Sequence, residues 1–187
     1  MAIVDILFEG YVGNRVAGTV SLVRDGDTIV IIDPGMVPDR AVILDPLAAV
    51  GVLPGDVTDV ILSHHHPDHT MNIALFPNVR VHDHWATYEN DQWISRPAEG
   101  FVVSGDMTLI ETPGHTPQDI TTLVTTDDGV YAFTHLWWNG AIPDDPRATQ
   151  PELLQPNRDR VLEMATVIIP GHGAPFRADV APRMEGR

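Results

Sequence analysis

Short apolar runs separated by turn residues dominate the first third of the chain. The three earliest runs are VDILFEG, GTVSLVRDG and TIVIIDPG, and the turn Asp25-Gly26-Asp27 lies between the second and the third. An Asp-Gly turn between two such runs predicts a β-hairpin. The next segment, PDRAVILDPLAAVG, has a helical pattern of apolar positions, and we expect Pro46 to kink this helix or to divide it in two.

Strand-like patterns continue through the rest of the chain. The run VTDVILS is too apolar for a half-exposed strand and predicts an interior one. Further strands are predicted at VRVHD, FVVSG, MTLIET, DITTLVTT, GVYAFT and TVIIP, with a last helix from about Asn157 to Ala165. Many strands and few helices along one chain predict an α/β (α+β) fold in which helices cover the outer faces of two sheets. With 187 residues and no internal repeat, we expect a single domain over residues 1–187.

Composition excludes several kinds of chemistry. The chain has no cysteine, which rules out thiolate nucleophiles and cysteine-ligated metals. All 11 basic residues are arginines, so a Schiff-base lysine and a P-loop lysine are also absent. The formal net charge of −15 argues against nucleic acid as a partner, because an acidic surface repels phosphates. Nucleic acid is therefore a disfavoured partner unless a local basic patch offsets this charge.

Two further patterns bear on location. No run of about 18 apolar residues occurs, so we expect no membrane association. The first residues, MAIVDILFEG, lack the cationic start and the small-residue cleavage site of a signal peptide. The sequence-based expectation is a cytoplasmic protein.

Histidines crowd the segment LSHHHPDHT, which follows the predicted interior strand. Alternate residues of an extended chain project to the same side, so His64 and His66 can hold one metal ion together while His65 points away. Pro67 favours the first turn of a helix, which would bring Asp68 and His69 round to a neighbouring position. The segment thus predicts two adjacent half-sites for metal ions.

Three later histidines share one setting, in which a strand leads into a turn or loop that carries the histidine. They are His115 in TPGHT, His135 in AFTHLWW and His172 in IIPGHG. One histidine after a strand is usually an ordinary polar residue, but this ordered set favours metal ligation. Imidazole and carboxylate ligands without thiolate suit Zn, Mn or Fe.

The elements IIDPG, SHHHPDH, TPGHT and IIPGHG, in this order, resemble the metallo-β-lactamase superfamily over nearly the whole chain. Within the superfamily, GVLPGDVTDVILSHHHPDHTMNIALFP and VIIPGHGAPF are most similar to the stand-alone group of metallo-β-lactamase domain-containing protein 1. The resemblance implies a four-layer αββα sandwich with a metal site at one edge, between the sheets. It also implies a first metal site of His64, His66 and His115, and a second of Asp68, His69 and His172. It further implies that Asp33 orients a ligand histidine.

One position departs from the pattern of the superfamily. Most of its hydrolases have an aspartate that bridges both metals where this chain has His135, and a neutral imidazole offers a single lone pair. Three outcomes are possible. His135 ligates one ion only, or it turns away and a hydroxide alone bridges the ions, or the second site is weak or empty. We take His135 as a ligand of at least one metal, with a role in orienting a ligand or contacting the substrate as the alternative.

These residues predict a metal-dependent hydrolase. A divalent metal lowers the pKa of its bound water toward about 7 and polarises a carbonyl or phosphoryl oxygen. We expect two Zn²⁺ ions, with Mn or Fe as alternatives, and a metal-bound hydroxide that attacks a small ester, thioester, lactone or related substrate. Asp68 is the expected catalytic residue, since it can orient the water or relay its proton.

The surroundings of the site leave alternatives open. Trp137 and Trp138 are candidates for an apolar wall of the substrate pocket, but they are equally candidates for the core or for a surface between two copies of the chain. Phosphodiester hydrolysis, as in a nuclease, is the competing activity, and an arginine patch around Arg80, Arg96 or Arg177 would favour it. A non-hydrolytic metal- or ligand-binding protein is the third interpretation, in which the change at His135 marks lost turnover.

Overall fold

The computed structural model describes residues 1–182, in which thirteen strands form two sheets. Seven strands, paired in chain order, make the first sheet: β1 (Ile3–Phe8), β2 (Val20–Asp25), β3 (Thr28–Ile32), β4 (Asp59–Ile61), β5 (Arg80–His82), β6 (Ala86–Glu89) and β7 (Gln92–Ser95). The second sheet contains β8 (Val102–Ser104), β9 (Met107–Glu111), β10 (Ile120–Thr126), β11 (Gly129–Thr134), β12 (Val167–Pro170) and β13 (Phe176–Arg177). Its order across the sheet is β13-β12-β11-β10-β9-β8.

The α-helices are α1 (Ala41–Ala49), the single turn α2 (Pro67–Thr70) and α3 (Pro151–Met164). No helix in residues 1–182 is long and apolar enough to cross a bilayer. Short 3₁₀ turns at Pro54–Asp56, Ile73–Leu75 and Ala178–Val180 complete the helical structure of this part of the chain.

The central strands are apolar on both faces, because each sheet is covered on both sides. In β2, Leu22 packs with the residues of α1, whereas the adjacent Val23 packs toward the second sheet. The layer between the sheets draws on strands of both, through Val23, Val30, Ile32, Ile61, Met107, Leu109, Ile120, Val124, Phe133 and Ile169. On the far side of the second sheet, Leu154 and Val161 of α3 pack against Ile168. The order helix, sheet, sheet, helix confirms the predicted αββα sandwich.

Parallel pairing brings the ends of several strands to one edge of the sandwich. In the first sheet Ile32 of β3 is paired with Ile61 of β4, and in the second Thr134 of β11 is paired with Pro170 of β12. The two sheets approach each other here, where the Ile120 N–H donates to the Ser63 carbonyl at 2.9 Å. The loops that follow these four strands therefore project into one region.

Two helix predictions need correction: the division of the first helix at Pro46 and the start of the last helix. The helix α1 runs from Ala41 to Ala49 as one helix, although Pro46 lies inside it. The last helix begins at Pro151, about six residues before the predicted start, and contains Pro156. Both helices bury leucines, Leu47 in α1 and Leu154 in α3, and this burial outweighs the hydrogen bond that each internal proline removes.

The sequence analysis did not predict the hairpin β6–β7. Its turn contains Asn90 with φ +54°, a left-handed conformation that asparagine tolerates better than most residues. All four residues of β7 are exposed, so the strand has no apolar face toward the core. The alternation of polar and apolar residues that predicts a strand is therefore weak here.

A buried arginine of α3 holds the loop that follows β11. Arg158 is fully buried, and its guanidinium donates to the Leu136 carbonyl at 2.6 and 2.9 Å and to the Pro143 carbonyl at 2.6 Å. Burial lowers the pKa of Arg158 to about 10, so it remains charged at neutral pH. Arg158 therefore holds the two ends of the segment 136–143 against α3.

We predict that Arg158→Leu lowers the free energy of unfolding by about 3 kcal/mol, because it removes the donors to the buried Leu136 carbonyl and to the half-buried Pro143 carbonyl. Arg160→Leu, on the same helix, is the matched control. Arg160 pairs with Glu99 at 2.5 Å in a partly exposed position, so we expect a loss below about 1 kcal/mol. Urea unfolding measures both, and equal losses would contradict this role for Arg158.

Candidate metal centre

The loop after β4 divides its histidines as their spacing predicts. The His64 Nε2 and His66 Nδ1 atoms lie 3.0 Å apart on one side of the loop. His65 turns to the other side, where its ring stacks on Trp85 with a centroid distance of 4.8 Å and its Nε2 lies 3.0 Å from an Asp83 carboxylate oxygen. His65 is therefore kept out of the cluster by contacts of its own.

Close backbone packing fixes the position of α2. Pro67 begins this turn, and Asp68 and His69 lie within it. The Asp68 carbonyl accepts hydrogen bonds from the N–H groups of Gly18 at 3.1 Å and Met36 at 3.2 Å. A Cβ atom at Gly35 would collide with the same carbonyl, so the glycine of the IIDPG element allows the loop after β3 to pack against α2.

The three later histidines reach the same point from the second sheet. The His115 Nε2 atom lies 3.0 Å from the His66 Nδ1 atom, and the Nε2 atoms of His135 and His172 are 3.1 Å apart. The Asp68 Oδ2 atom is 3.7 Å from both the His69 and the His172 Nε2 atoms. Each of two adjacent groups brings three ligand atoms within 4.8 Å of one another: His64, His66 and His115, and next to them Asp68, His69 and His172.

Three of these imidazoles contact a hydrogen-bond acceptor on the side that faces away from the cluster. The Nδ1 atom of His69 lies 2.9 Å from Asp33, that of His115 lies 2.7 Å from Asp145, and that of His172 lies 2.9 Å from the Ala17 carbonyl. Carboxylate and carbonyl oxygens only accept hydrogen bonds. Each of the three imidazoles therefore carries its proton on Nδ1, which leaves the Nε2 lone pair facing the centre of the cluster.

The same reasoning extends to His64 through a serine. The Ser63 hydroxyl donates to Asp33 at 2.6 Å, so it accepts from His64 Nδ1 at 3.0 Å. Asp33 also accepts the Ser63 backbone N–H at 2.7 Å and adopts φ +53°, which is uncommon outside glycine. One buried aspartate thus sets the tautomers of both His64 and His69.

The cluster presents four lone pairs to one small buried space. His64, His69, His115 and His172 are each less than 4% exposed, and His69 Nε2 has no hydrogen-bond donor within residues 1–182. The Nε2 lone pairs within each set of ligands, whose atoms lie within 4.8 Å of one another, repel, and a positive charge between them relieves this repulsion. A divalent cation supplies that charge and accepts nitrogen and carboxylate ligands, so the residues fit a metal ion.

Protons do not supply this charge at neutral pH. Burial lowers the pKa of His64 and of His135 well below the ordinary value, and the neighbouring imidazoles lower both further. Burial also lowers the pKa of His172 to about 4. These imidazoles are therefore neutral at pH 7, which is the form that binds metal.

Comparison with known proteins agrees with the fold and with the sequence motifs. The family model of the metallo-beta-lactamase superfamily matches residues 13–173. The chain belongs to this superfamily. Metallo-beta-lactamase domain-containing protein 1 of Xenopus laevis is 34% identical over 93% of this chain and 81% of its own length. The Mus musculus protein of the same name is 32% identical over 79% of this chain, which spans only 60% of that relative's length.

Two solved structures show the same fold at low sequence identity. TTHA1623, in a di-iron-bound form, has a TM-score of 0.68 and 22% identity, covering 92% of this chain and 96% of its own. AidC, a dizinc quorum-quenching lactonase, has a TM-score of 0.64 and 17% identity, covering 83% of this chain and 72% of its own. Proteins with this fold therefore include some that hold two metal ions.

His135 packs closely against the other histidines of the cluster. Its ring lies 4.0 Å from that of His115 in a stacked arrangement, and its buried Nδ1 atom has no hydrogen-bond partner in the described residues. A Cβ atom at Gly171 would collide with the His135 ring, so the glycine of the second Pro-Gly-His turn makes room for this imidazole. His135 therefore lies inside the cluster and does not turn away from it.

Asp145 is a member of the site that the sequence analysis missed. It is nearly buried, and burial alone would raise the pKa of its carboxyl group. Hydrogen bonds from His115 and from the Arg147 N–H outweigh that effect and lower the pKa below its usual value. Asp145 is thus a carboxylate at neutral pH. It lies 30 positions from His115 in an irregular loop, where neither motif nor periodicity indicates its role.

The two adjacent tryptophans have different surroundings. Trp138 lines a cleft of about 680 Å³ that opens onto His66, Asp68, His115, His135 and His172. Trp137 is fully buried, packs against Phe176 and donates its Nε1–H to the Pro182 carbonyl at 2.9 Å. The prediction of Trp137 as a pocket residue is therefore wrong, because its indole belongs to the core beneath α3.

We predict that the metal-free protein loses stability as the pH falls from 6.5 to about 4. A histidine with a folded pKa near 4 and an unfolded pKa near 6.5 takes up its proton preferentially in the unfolded state across this window. His172 alone then contributes a loss of about 3 kcal/mol. Urea unfolding of metal-free protein between pH 7 and pH 4.5 measures this loss, and His172→Gln should show a shallower dependence. An equal slope in both proteins would contradict the prediction.

Proposed function

We propose that this chain is a metal-dependent hydrolase of a small ester, thioester or lactone, acting as one domain over residues 1–187. The observation that carries the proposal is the set of four imidazoles whose tautomers direct Nε2 lone pairs to one space beside an open cleft. A buried structural metal would need no such opening, whereas a catalytic metal must be reached by substrate.

The ligand atoms divide into two sets of three. His64 Nε2, His66 Nδ1 and His115 Nε2 would hold one ion, and Asp68, His69 and His172 would hold the second. His135 Nε2 adds a ligand beside His172, in the position where other members of the superfamily carry a bridging aspartate. Nitrogen-rich ligands without thiolate suit Zn²⁺, with Fe or Mn as alternatives. The di-iron and dizinc relatives support two ions.

The ions, when bound, supply Lewis acidity toward the scissile carbonyl and lower the pKa of water at the site. Asp68 then has a second role, because its carboxylate is partly exposed at the cleft while its carbonyl is fixed by Gly18 and Met36. From this position it orients the attacking water, accepts its proton and passes the proton to the leaving group. Asp33, Ser63 and Asp145 hold the imidazoles in the required tautomers.

The walls of the cleft favour a small acyl substrate. Trp138, Val12, Val16, Met36 and Val37 provide apolar surface, and a volume of about 680 Å³ suits a small molecule. The AidC structure holds the product N-hexnoyl-L-homoserine, which is consistent with this class. The arginines that would favour phosphodiester hydrolysis, Arg80, Arg96 and Arg177, do not line the cleft and have other partners. Arg80 pairs with Asp59, Arg177 pairs with Asp179, and Arg96 donates to backbone carbonyls.

Turnover of a panel of nitrophenyl esters, thioesters and acyl lactones tests the proposal. We expect hydrolysis that a chelator abolishes and added Zn²⁺ restores. His64→Ala should abolish it as well, whereas His84→Ala, a histidine outside the cluster, should retain it. Circular dichroism of both variants confirms that they fold. Hydrolysis that persists in chelator, or no hydrolysis of any class by protein with two bound ions, would contradict the proposal.

We predict that Asp145→Asn weakens metal binding at the first site by about 10- to 100-fold, because an amide no longer enforces the Nδ1–H tautomer of His115. Asp144→Asn removes the same charge from the neighbouring exposed position and is the matched control. Competition with a chromogenic chelator measures the affinity. Equal affinity in the two variants would contradict the role assigned to Asp145.

A further inference from the structure

Two of the described arginines differ from the others in their hydrogen bonding. The structure describes nine of the 11 arginines, and seven of them donate to oxygen acceptors: Arg24, Arg40, Arg80, Arg96, Arg158, Arg160 and Arg177. Within residues 1–182, neither Arg15 nor Arg147 makes an ion pair or a side-chain hydrogen bond. In a chain of net charge −15, arginines without any oxygen acceptor are unexpected.

Both of these arginines line the cleft of the metal centre. Arg15 lies in the loop between Tyr11 and Ala17, which are joined by backbone hydrogen bonds of 3.0 Å, and its guanidinium lies 6.0 Å from the centre of the Tyr11 ring. Arg147 lies in the loop that Asp145 anchors through the Arg147 N–H at 2.9 Å. The two side chains thus belong to separate loops on the rim, each fixed by its own backbone contacts.

The charge lining the cleft is otherwise sparse. Asp68 is the one acidic residue among the described residues that line it, and in the proposed function its carboxylate is a metal ligand. Both guanidinium groups are exposed, so they keep their five N–H donors available for an incoming acceptor. Guanidinium groups bind carboxylate and phosphate oxygens through paired hydrogen bonds.

We propose that Arg15 and Arg147 bind an anionic group of the substrate, either a carboxylate or a phosphate, while the ester or thioester carbonyl lies at the metals. This inference rests on the proposed hydrolase function and narrows its substrate class to anionic acyl compounds. The apolar wall formed by Val12, Val16, Met36 and Val37 would contact the carbon chain between the two ends. The arginines act in binding and orientation, and the bond-breaking step remains at the metal centre.

Matched product analogues separate this recognition from binding to the metals. Pentanoate, glutarate and 4-phosphonobutyrate each carry one carboxylate that can reach the metal ions, and they differ at the other end of the chain. Isothermal titration calorimetry on zinc-loaded protein gives the dissociation constants. We expect glutarate or 4-phosphonobutyrate to bind about tenfold more tightly than pentanoate, since a hydrogen bond to a charged group adds this much affinity. The tighter of the two dianions identifies the anion.

Variants test whether the arginines are the cause. Arg15→Gln and Arg147→Gln should each reduce the preference for the dianion, and the double variant should abolish it. Arg177→Gln, a paired arginine outside the cleft, should keep the full preference. A preference that survives in the double variant, or equal binding of all three analogues by the wild type, would overturn the inference.

Metal content and hydrolysis of a neutral ester are measured on the same samples. If metal content and turnover of the neutral ester are intact but the dianions bind no more tightly than pentanoate, the anion inference alone is overturned. If the protein holds no metal and shows no turnover, the hydrolase proposal is contradicted instead. The anion inference is then decided by whether the double arginine variant loses the preference for dianions.

Discussion

The mutual repulsion of imidazole lone pairs is the constraint on which the rest of this structure depends. Four histidines are held with Nδ1–H outward by Ser63, Asp33, Asp145 and the Ala17 carbonyl, so their Nε2 atoms converge in a buried space. Burial keeps His64 and His172 neutral, which prevents protons from relieving the repulsion near pH 7. The arrangement is therefore costly without a cation and favourable with one.

The fold holds this cluster together by placing its ligands on loops that follow rigid, packed strands. Parallel pairing of β3 with β4 and of β11 with β12 brings four loops to one edge. Glycines at the loops permit contacts that a side chain would block, as Gly35 does against the Asp68 carbonyl and Gly171 against His135. The apolar layers on both faces of each sheet then fix the loop positions, so that ligand geometry follows from strand packing.

Much of the metal cluster could be predicted from the sequence, because period-two alternation separates His65 from His64 and His66, and resemblance indicated Asp33. Asp145 could not be found, since its contact with His115 depends on an irregular loop. Trp137 and Trp138 are adjacent, and no periodicity tells which enters the core. In the first helix, Pro46 suggested a break that the burial of Leu47 overrides. The two arginines of the cleft are identified only by the lack of an oxygen acceptor within residues 1–182, and the sequence alone does not reveal this.

The most direct test of the account is the metal content per chain, measured by elemental analysis of protein purified without chelator and supplied with Zn²⁺. The account predicts two ions per chain, one for each set of ligands. Fewer than two ions per chain in folded protein would contradict the account, because at least one set of converging ligand atoms would then hold no cation even with Zn²⁺ supplied.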